Sequence, residues 1–455
     1  MNWVSKMLWG QGEDGLRRPA SWEEWIAAAD SPSGYVRQSA VEALALSGHG
    51  AALPVLLARA NDWVPEVRGA ARKAIGAFLF DEHAAAWAVA LGEVSALRRA
   101  ARDDHSPLLR SIEDFLARPG PLSVLKAALP RMHREGIRVV FGLELRAATG
   151  DDEATHRILL RAVSYPDVKV AEQGMAGLDA LGSAARRLEI AIAGCVSEFS
   201  VVRAAGLRAA LRSGLPPGPA LLRSLCRDPN STVRSLALAA LGADDRAQVQ
   251  ADAAQAFGRG QGARLRTVAL EVLCVLLDRP DALALCERAS VDPVVGVRRA
   301  AHAGRFALAP AQDRDALVEL TLRDSSPRVR GVAVAQVKKG ATAPPLAMLL
   351  TTFRSVPGSL DSLATVAVHL SPWDRLDFLL TAWYDTGGGG PSQRRLVREL
   401  NDWEADMLRC FVSPSPAAVR MITHAWGLSR DGLPSDLQRR LAFHLRSFGV
   451  LGDKP

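Results

Sequence analysis

With 455 residues the chain is long enough for two or three ordinary domains, or for one array whose core grows by stacking. Hydrophobic residues at 48% and charged residues at 23% exclude general disorder. The net charge of +7 is spread over the whole length with no basic run longer than a pair, which admits an acidic partner but excludes a polybasic tail.

In chain order, residues 1–28 come first. MNWVSKMLWGQGEDGLRR has no apolar run of signal-peptide length and turns acidic by Glu13, so the expected location is the cytoplasm. Trp3, Trp9, Trp22 and Trp25 crowd this stretch, the last two spaced to share a helical face, and the segment is predicted to be a Trp-rich helical cap.

Residues 29–340 repeat. Aligned on a basic residue that follows a β-branched residue or Leu, the chain shows Arg37, Arg68, Arg110, Arg138, Lys169, Arg203, Arg234, Arg266, Arg298 and Arg330. Their spacing stays near the low thirties except before Arg110, where an insertion falls around Phe80 to Ser95. Such a period is the mark of stacked helix pairs. The stretch Arg227 to Leu241 shows the grammar. Leu221, Leu222 and Leu225 form the stripe of a short first helix, and Asp228-Pro229 stops it. Asn230 or Ser231 caps a second helix with Val233, Leu236, Ala237, Ala240 and Leu241 on one face, and Gly242 ends it. The segments Asp62 to Arg68 and Asp324 to Arg330 repeat the pattern, with Pro65 and Pro327 opening their helices and Ser326 as a cap.

Turn acid and helix base keep register: Asp62 and Arg68, Asp104 and Arg110, Asp228 and Arg234, Asp292 and Arg298, and Asp324 and Arg330 are each six apart. Hydrogen bonds within and between neighbouring repeats would join them into a ladder. The functional alternative is an arginine stripe reserved for phosphates. Either way the candidate ladder or partner-binding residues are Arg37, Arg68, Arg203, Arg234, Arg266, Arg298 and Arg330 with Asp62, Asp228, Asp292 and Asp324.

The D-P-x-x-x-V-R-x-x-A-x-x-A-L pattern resembles the HEAT family, in the short bacterial form also found in phycobilin lyase subunits. The resemblance covers about residues 29–340 and implies an all-α solenoid of about 10–12 antiparallel helix pairs, with the arginine-bearing helices lining a concave face. For function it implies little, because such repeats serve as protein-binding scaffolds, in nucleic-acid-binding proteins and occasionally as enzymes. Two units depart from the pattern: Lys169 replaces the arginine after Tyr165-Pro166-Asp167, and the unit at Arg138 lacks the turn proline.

Beyond Lys339 the grammar weakens, and residues 341–455 are predicted as a divergent helical region or cap. Pro344-Pro345, a Gly-rich loop at 385–391 and Pro414-Ser-Pro416 divide it into helices near Trp373 to Tyr384, Arg394 to Val412 and Ala417 to Leu428. The loop lacks the G-x-x-x-x-G-K-[ST] arrangement that cradles phosphate. Trp373 and Asp377, four apart, superficially resemble a pairing in HEAT-like DNA glycosylases. The preferred reading puts Trp373 in a cap core with Asp377 at its rim.

No histidine pair has metal-ligand spacing, and no nucleophile elbow is present. Cys195, Cys226, Cys274, Cys286 and Cys410 form no C-x-x-C pair and read as small buried apolar side chains in a reducing compartment. No stretch is long and apolar enough to span a bilayer. The chain is therefore expected to hold no cofactor and no metal, to have no catalytic residues, and to bind another protein as a scaffold or adaptor. Nucleic-acid binding through a basic groove is the alternative.

Overall fold

The computed structural model describes residues 19, 21–258, 260–387, 390–410 and 412–452, so Trp3 and Trp9, with most of the expected N-terminal cap, lie outside the described residues. Every regular element described is helical, and the chain divides into two compact units. One runs to Leu225 and includes Asn230–Ala240; the other comprises Cys226–Pro229 and the chain from Leu241 onward.

In the first unit the helices are α1 (Trp22–Ala28), α2 (Gly34–Ser47), α3 (Leu53–Arg59), α4 (Pro65–Gly76), α5 (Ala84–Arg99), α6 (Ser106–Leu116) and α7 (Pro119–Ala128). They continue with α8 (Arg134–Ala147), α9 (Asp152–Val163), α10 (Val168–Ala176), α11 (Ala184–Cys195), α12 (Ser200–Arg212), α13 (Pro219–Leu225) and α14 (Ser231–Ala240). The second unit begins with α15 (Ala243–Phe257), α16 (Ala263–Leu276), α17 (Arg279–Ala289), α18 (Val295–Leu308), α19 (Arg314–Leu322) and α20 (Pro327–Lys338). It ends with α21 (Leu346–Ser355), α22 (Leu360–Ala367), α23 (Pro372–Asp385), α24 (Gly390–Met407), α25 (Pro416–Ser429) and α26 (Ser435–Ser447).

Taken two at a time the helices of the described residues are 13 successive pairs, against an expected 10–12. The last three pairs lie after α20, where the turn motif is gone. Pairing follows from two apolar stripes that need each other, and the motif is a separate device at the turn. Within a unit, second helices stack on second helices, as α2 on α4 and α16 on α18, and first helices on first, as α3 on α5 and α23 on α25. Each stripe is thereby covered along the stack, and none of these short helices has to be stable alone.

Local starts follow composition. Proline opens α4, α20 and α23 at positions whose N–H has no intrahelical partner anyway. Asn230 caps α14, its side-chain oxygen accepting from the Thr232 and Val233 N–H groups. Two expectations need correction. Gly242 has φ −68°, extended, and precedes α15; it is not the left-handed terminator of α14. The buried face of α14 is Val233, Arg234, Ala237 and Leu238, turned away from Leu236 because the arginine itself goes inside.

The expected insertion before Arg110 is a single 3-10 turn, Asp81–His83, followed by the 16-residue α5. Trp87 of α5 is fully buried, its indole N–H donating to the Phe78 carbonyl at 2.8 Å. At the other extreme α11 and α12 approach most closely at Gly206, where an added Cβ would sit 2.6 Å from the Ala191 oxygen and 2.8 Å from the Cys195 nitrogen. Backbone cannot yield as a flexible side chain can. Gly206→Ala is therefore expected to destabilise the first unit by about 1–3 kcal/mol, read as a lower urea midpoint at unchanged slope. Gly69→Ala on α4, where nothing lies within 4 Å, is the control and should stabilise slightly.

Among the described residues no single helix is long and apolar enough to cross a membrane. The helices α4 and α5 together reach that length but are bent by 105° and give their apolar residues to the core.

Candidate functional site: the arginine and aspartate rungs

The candidate arginines sit in the first turns of the second helices, and the candidate aspartates in the turns just before those helices. The structure joins them in a definite way. Arg37 of α2 donates through Nε and Nη2 to the two carboxylate oxygens of Asp62, both at 2.9 Å, one repeat further on. Arg298 does the same to Asp324 at 2.8 and 3.1 Å, and Arg266 reaches Asp292 at 3.2 and 2.5 Å. Arg138 and Asp167, absent from the candidate set, form a fourth rung at 3.0 and 2.9 Å. These are fork-on-fork ion pairs across 25 to 29 residues of sequence.

The six-residue interval is a side-chain-to-backbone bond. Within a repeat, Nη1 of the arginine donates to the backbone carbonyl of the turn acid: Arg68 to Asp62 at 2.9 Å, Arg298 to Asp292 at 2.9 Å and Arg330 to Asp324 at 2.8 Å. The carboxylate meanwhile accepts the N–H two residues on, from Val64, Lys169, Val294 and Ser326. One aspartate thus forms the turn with its own backbone and locks the previous repeat with its side chain. Ser326 occupies the cap position of α20 but makes no side-chain cap bond; its own N–H donates to the Asp324 carboxylate.

At the irregular repeat the register slips by one. Arg68 and Arg72 reach Asp103 at 3.3 and 3.1 Å, while Asp104 accepts the Ser106 N–H at 2.9 Å. The ladder stops at Arg330, only 1% exposed, which donates to the Gly358 carbonyl and the Ser362 hydroxyl at 2.5 and 3.4 Å. Burial lowers its affinity for the proton. Arg203 donates to the Ser197 and Glu198 carbonyls at 2.8 Å, and Asp228 and Arg234 are both buried. Lys169, where the motif arginine is missing, is exposed and pairs with Glu172 at 2.6 Å.

Electrostatically the rungs favour ionised acids. Burial pushes Asp62, Asp292 and Asp324 upward, but the guanidinium hydrogen bonds, the turn N–H and the nearby arginine charges together bring all three below the ordinary 3.8. At Asp167 the Arg138 hydrogen bonds are the largest influence and lower it. A native value below the unfolded one means that the unfolded chain takes up more protons in acid. Rung stability is then complete above 3.8 and disappears as pH falls through the lower native values. Thermal melts from pH 7 to pH 2.5 are expected to hold a level midpoint until about pH 4 and to fall steeply below it.

Asp377 is not at a rim. It is 3% exposed on α23, its one hydrogen bond coming from Thr381 at 3.3 Å, and burial raises its proton affinity. The neighbouring Arg375 pairs with Asp406 and Glu399 at 2.8 and 3.3 Å. Trp373 gives its N–H to the Val412 carbonyl at 2.8 Å, so the ring is a core element. Nothing in the i, i+4 spacing could reveal that this helix is buried on nearly all sides. No group of three or more His, Cys, Asp or Glu is placed to hold a metal among the described residues.

Stacked helix pairs with an aspartate turn, an arginine at the head of the second helix and rungs from repeat to repeat define an all-α repeat protein of the solenoid class. Residues 23–117 match the family model described as HEAT repeats. No curated protein sequence matches the chain. Among solved structures, the karyopherin Kap121p bound to the extreme C-terminus of the protein phosphatase Cdc14p is similar at 12% identity and a TM-score of 0.37, covering 96% of this chain and 55% of that one. Kap121p bound to RanGTP is similar at 11% identity and a TM-score of 0.32, again over 96% and 55%. The chain spans about half the length of these karyopherins.

Proposed function

We propose that this HEAT-repeat chain is a non-catalytic scaffold or adaptor that binds another protein. The observation that carries the reading is what the ladder leaves outside. The rung guanidiniums are buried or half-buried and paired with the acids of the next repeat, so these basic positions offer a phosphate backbone little charge. Beside the first rung, Trp63 and Tyr35 are 66% and 64% exposed, and the Arg37 guanidinium lies 5.2 Å from the Trp63 ring centre. Gly34 brings the start of α2 against Val64, so the two aromatics stand at the same end of adjacent second helices. Exposed large aromatics are among the residues that dominate protein interfaces.

The test places a photo-cross-linking residue at Trp63 in native lysate, identifies the captured protein, and measures its affinity for purified chain. Trp63→Ala with Tyr35→Ala is expected to weaken that complex at least tenfold, about 1.4 kcal/mol, with an unchanged melting curve. Equal affinity of variant and wild type would refute this face. Duplex DNA or RNA bound with an affinity falling linearly in log salt would favour nucleic-acid binding instead.

A further inference from the structure

Five cysteines with no motif spacing gave no reason to expect chemistry, yet two of them meet. Cys274 near the end of α16 and Cys286 in α17 have their sulfurs 3.1 Å apart, across the tight Leu277-Asp278 junction. Both are free thiols; Cys286 is fully buried and Cys274 opens partly to solvent. A third helix completes the place. Gly304 of α18 lies over the pair, where a Cβ would come within 2.7 Å of the Cys286 sulfur and 3.0 Å of the Cys274 sulfur. Glycine there gives the two sulfurs the room they occupy.

We propose that Cys274 and Cys286 are an oxidisable dithiol, a modification site that a hydroperoxide converts into an intramolecular disulfide joining α16 to α17. The partly exposed Cys274 is the sulfur that a small hydroperoxide reaches. The Cys286 thiolate takes the proton of the Cys274 thiol hydrogen-bonded to it, the Cys274 sulfur takes one peroxide oxygen as the O–O bond breaks, and a sulfenic acid forms on Cys274 while the other oxygen leaves as water (or an alcohol) with that proton handed back by Cys286. The Cys286 thiolate then attacks that sulfur: the S–S bond forms, the S–O bond breaks, and hydroxide departs as water with the proton Cys286 had released. Two thiols are oxidised by two electrons and one peroxide is reduced.

The surroundings suit this order. The Cys274 hydrogen bond and the Arg305 charge favour the thiolate of Cys286 against the cost of burial, while Cys274 retains its proton. Cys195 and Cys226 are pushed up to about 11 by burial and remain thiols. Closing a bond of about 2.05 Å from this separation needs a movement of about 1 Å.

The experiment is mass spectrometry of the full chain after brief hydrogen peroxide treatment, quenched by alkylation in denaturant. Trypsin spares Arg279 because Pro280 follows, so both cysteines fall in the peptide Thr267–Arg288. That peptide is expected to lose two hydrogens, to resist alkylation, and to regain both thiols with dithiothreitol. The folded chain should form it at least tenfold faster than the chain in denaturant. In Cys286→Ser, whose helical content is checked by circular dichroism, Cys274 should instead be trapped by dimedone as a sulfenic acid. Alkylation of both thiols after treatment, or equal rates in folded and unfolded chain, would overturn the proposal.

Discussion

Replacing Asp62 by alanine is expected to lower the stability of the first unit by about 3–5 kcal/mol, among the largest effects of any polar substitution in the chain. The Asp62 carboxylate has no exposed side-chain surface and holds Arg37, which is 3% exposed, through two bonds of 2.9 Å; Arg59 adds a third at 3.1 Å and the Val64 amide a fourth at 2.9 Å. Alanine removes all four and leaves a buried guanidinium with the Ser31 and Pro32 carbonyls and the Trp63 ring but no acid. The loss is thus mainly the penalty of an unpaired buried charge. Two further variants separate this from packing. Asp62→Asn keeps the turn bond and should lose about half as much, while Arg37→Met combined with Asp62→Leu should fall much closer to wild type. The exposed pair Arg439 and Asp436 is the reference and should contribute under about 1 kcal/mol. Urea titration of each variant decides the matter: an Asp62→Ala loss under about 1 kcal/mol would mean that the rungs are ornaments of the turn.

Trp403→Ala is expected to be equally severe in the second unit, at about 3–5 kcal/mol. The ring is 1% exposed, meets Trp373 edge-on at 6.1 Å and donates its N–H to the Pro372 carbonyl at 2.7 Å. Trp373, Trp383 and Trp426 are buried in the same cluster, so the helices after the last rung are held by aromatic volume where earlier repeats use Leu, Ala and ion pairs. Trp403→Phe should recover most of the loss, because volume matters more than one hydrogen bond worth about 1 kcal/mol. Guanidinium unfolding followed by tryptophan fluorescence reads both variants. A Phe variant as damaged as the Ala variant would shift the weight to the indole N–H.

The rung acids and the C-terminal tryptophans differ in how far they could be read beforehand. The all-α class, the repeat, its turn residues and the proline helix starts were legible because each depends on neighbours within about ten residues, where helical periodicity and caps operate. The C-terminal helices were legible for the same reason, and only their count and pairing were not. Partners 25 to 29 residues apart were another matter. The motif does not say how Asp62 divides itself between Arg68 and Arg37, and only stacking shows that its backbone serves the first and its carboxylate the second. The one-residue slip to Asp103, the fourth rung at Arg138 and Asp167, the burial of Asp377 and the meeting of Cys274 with Cys286 also belong to the tertiary structure. In each case a local pattern states what a side chain is able to do. Which group it finds depends on how one repeat is rotated onto the next, a quantity set by the summed packing of both helices and carried by no short motif.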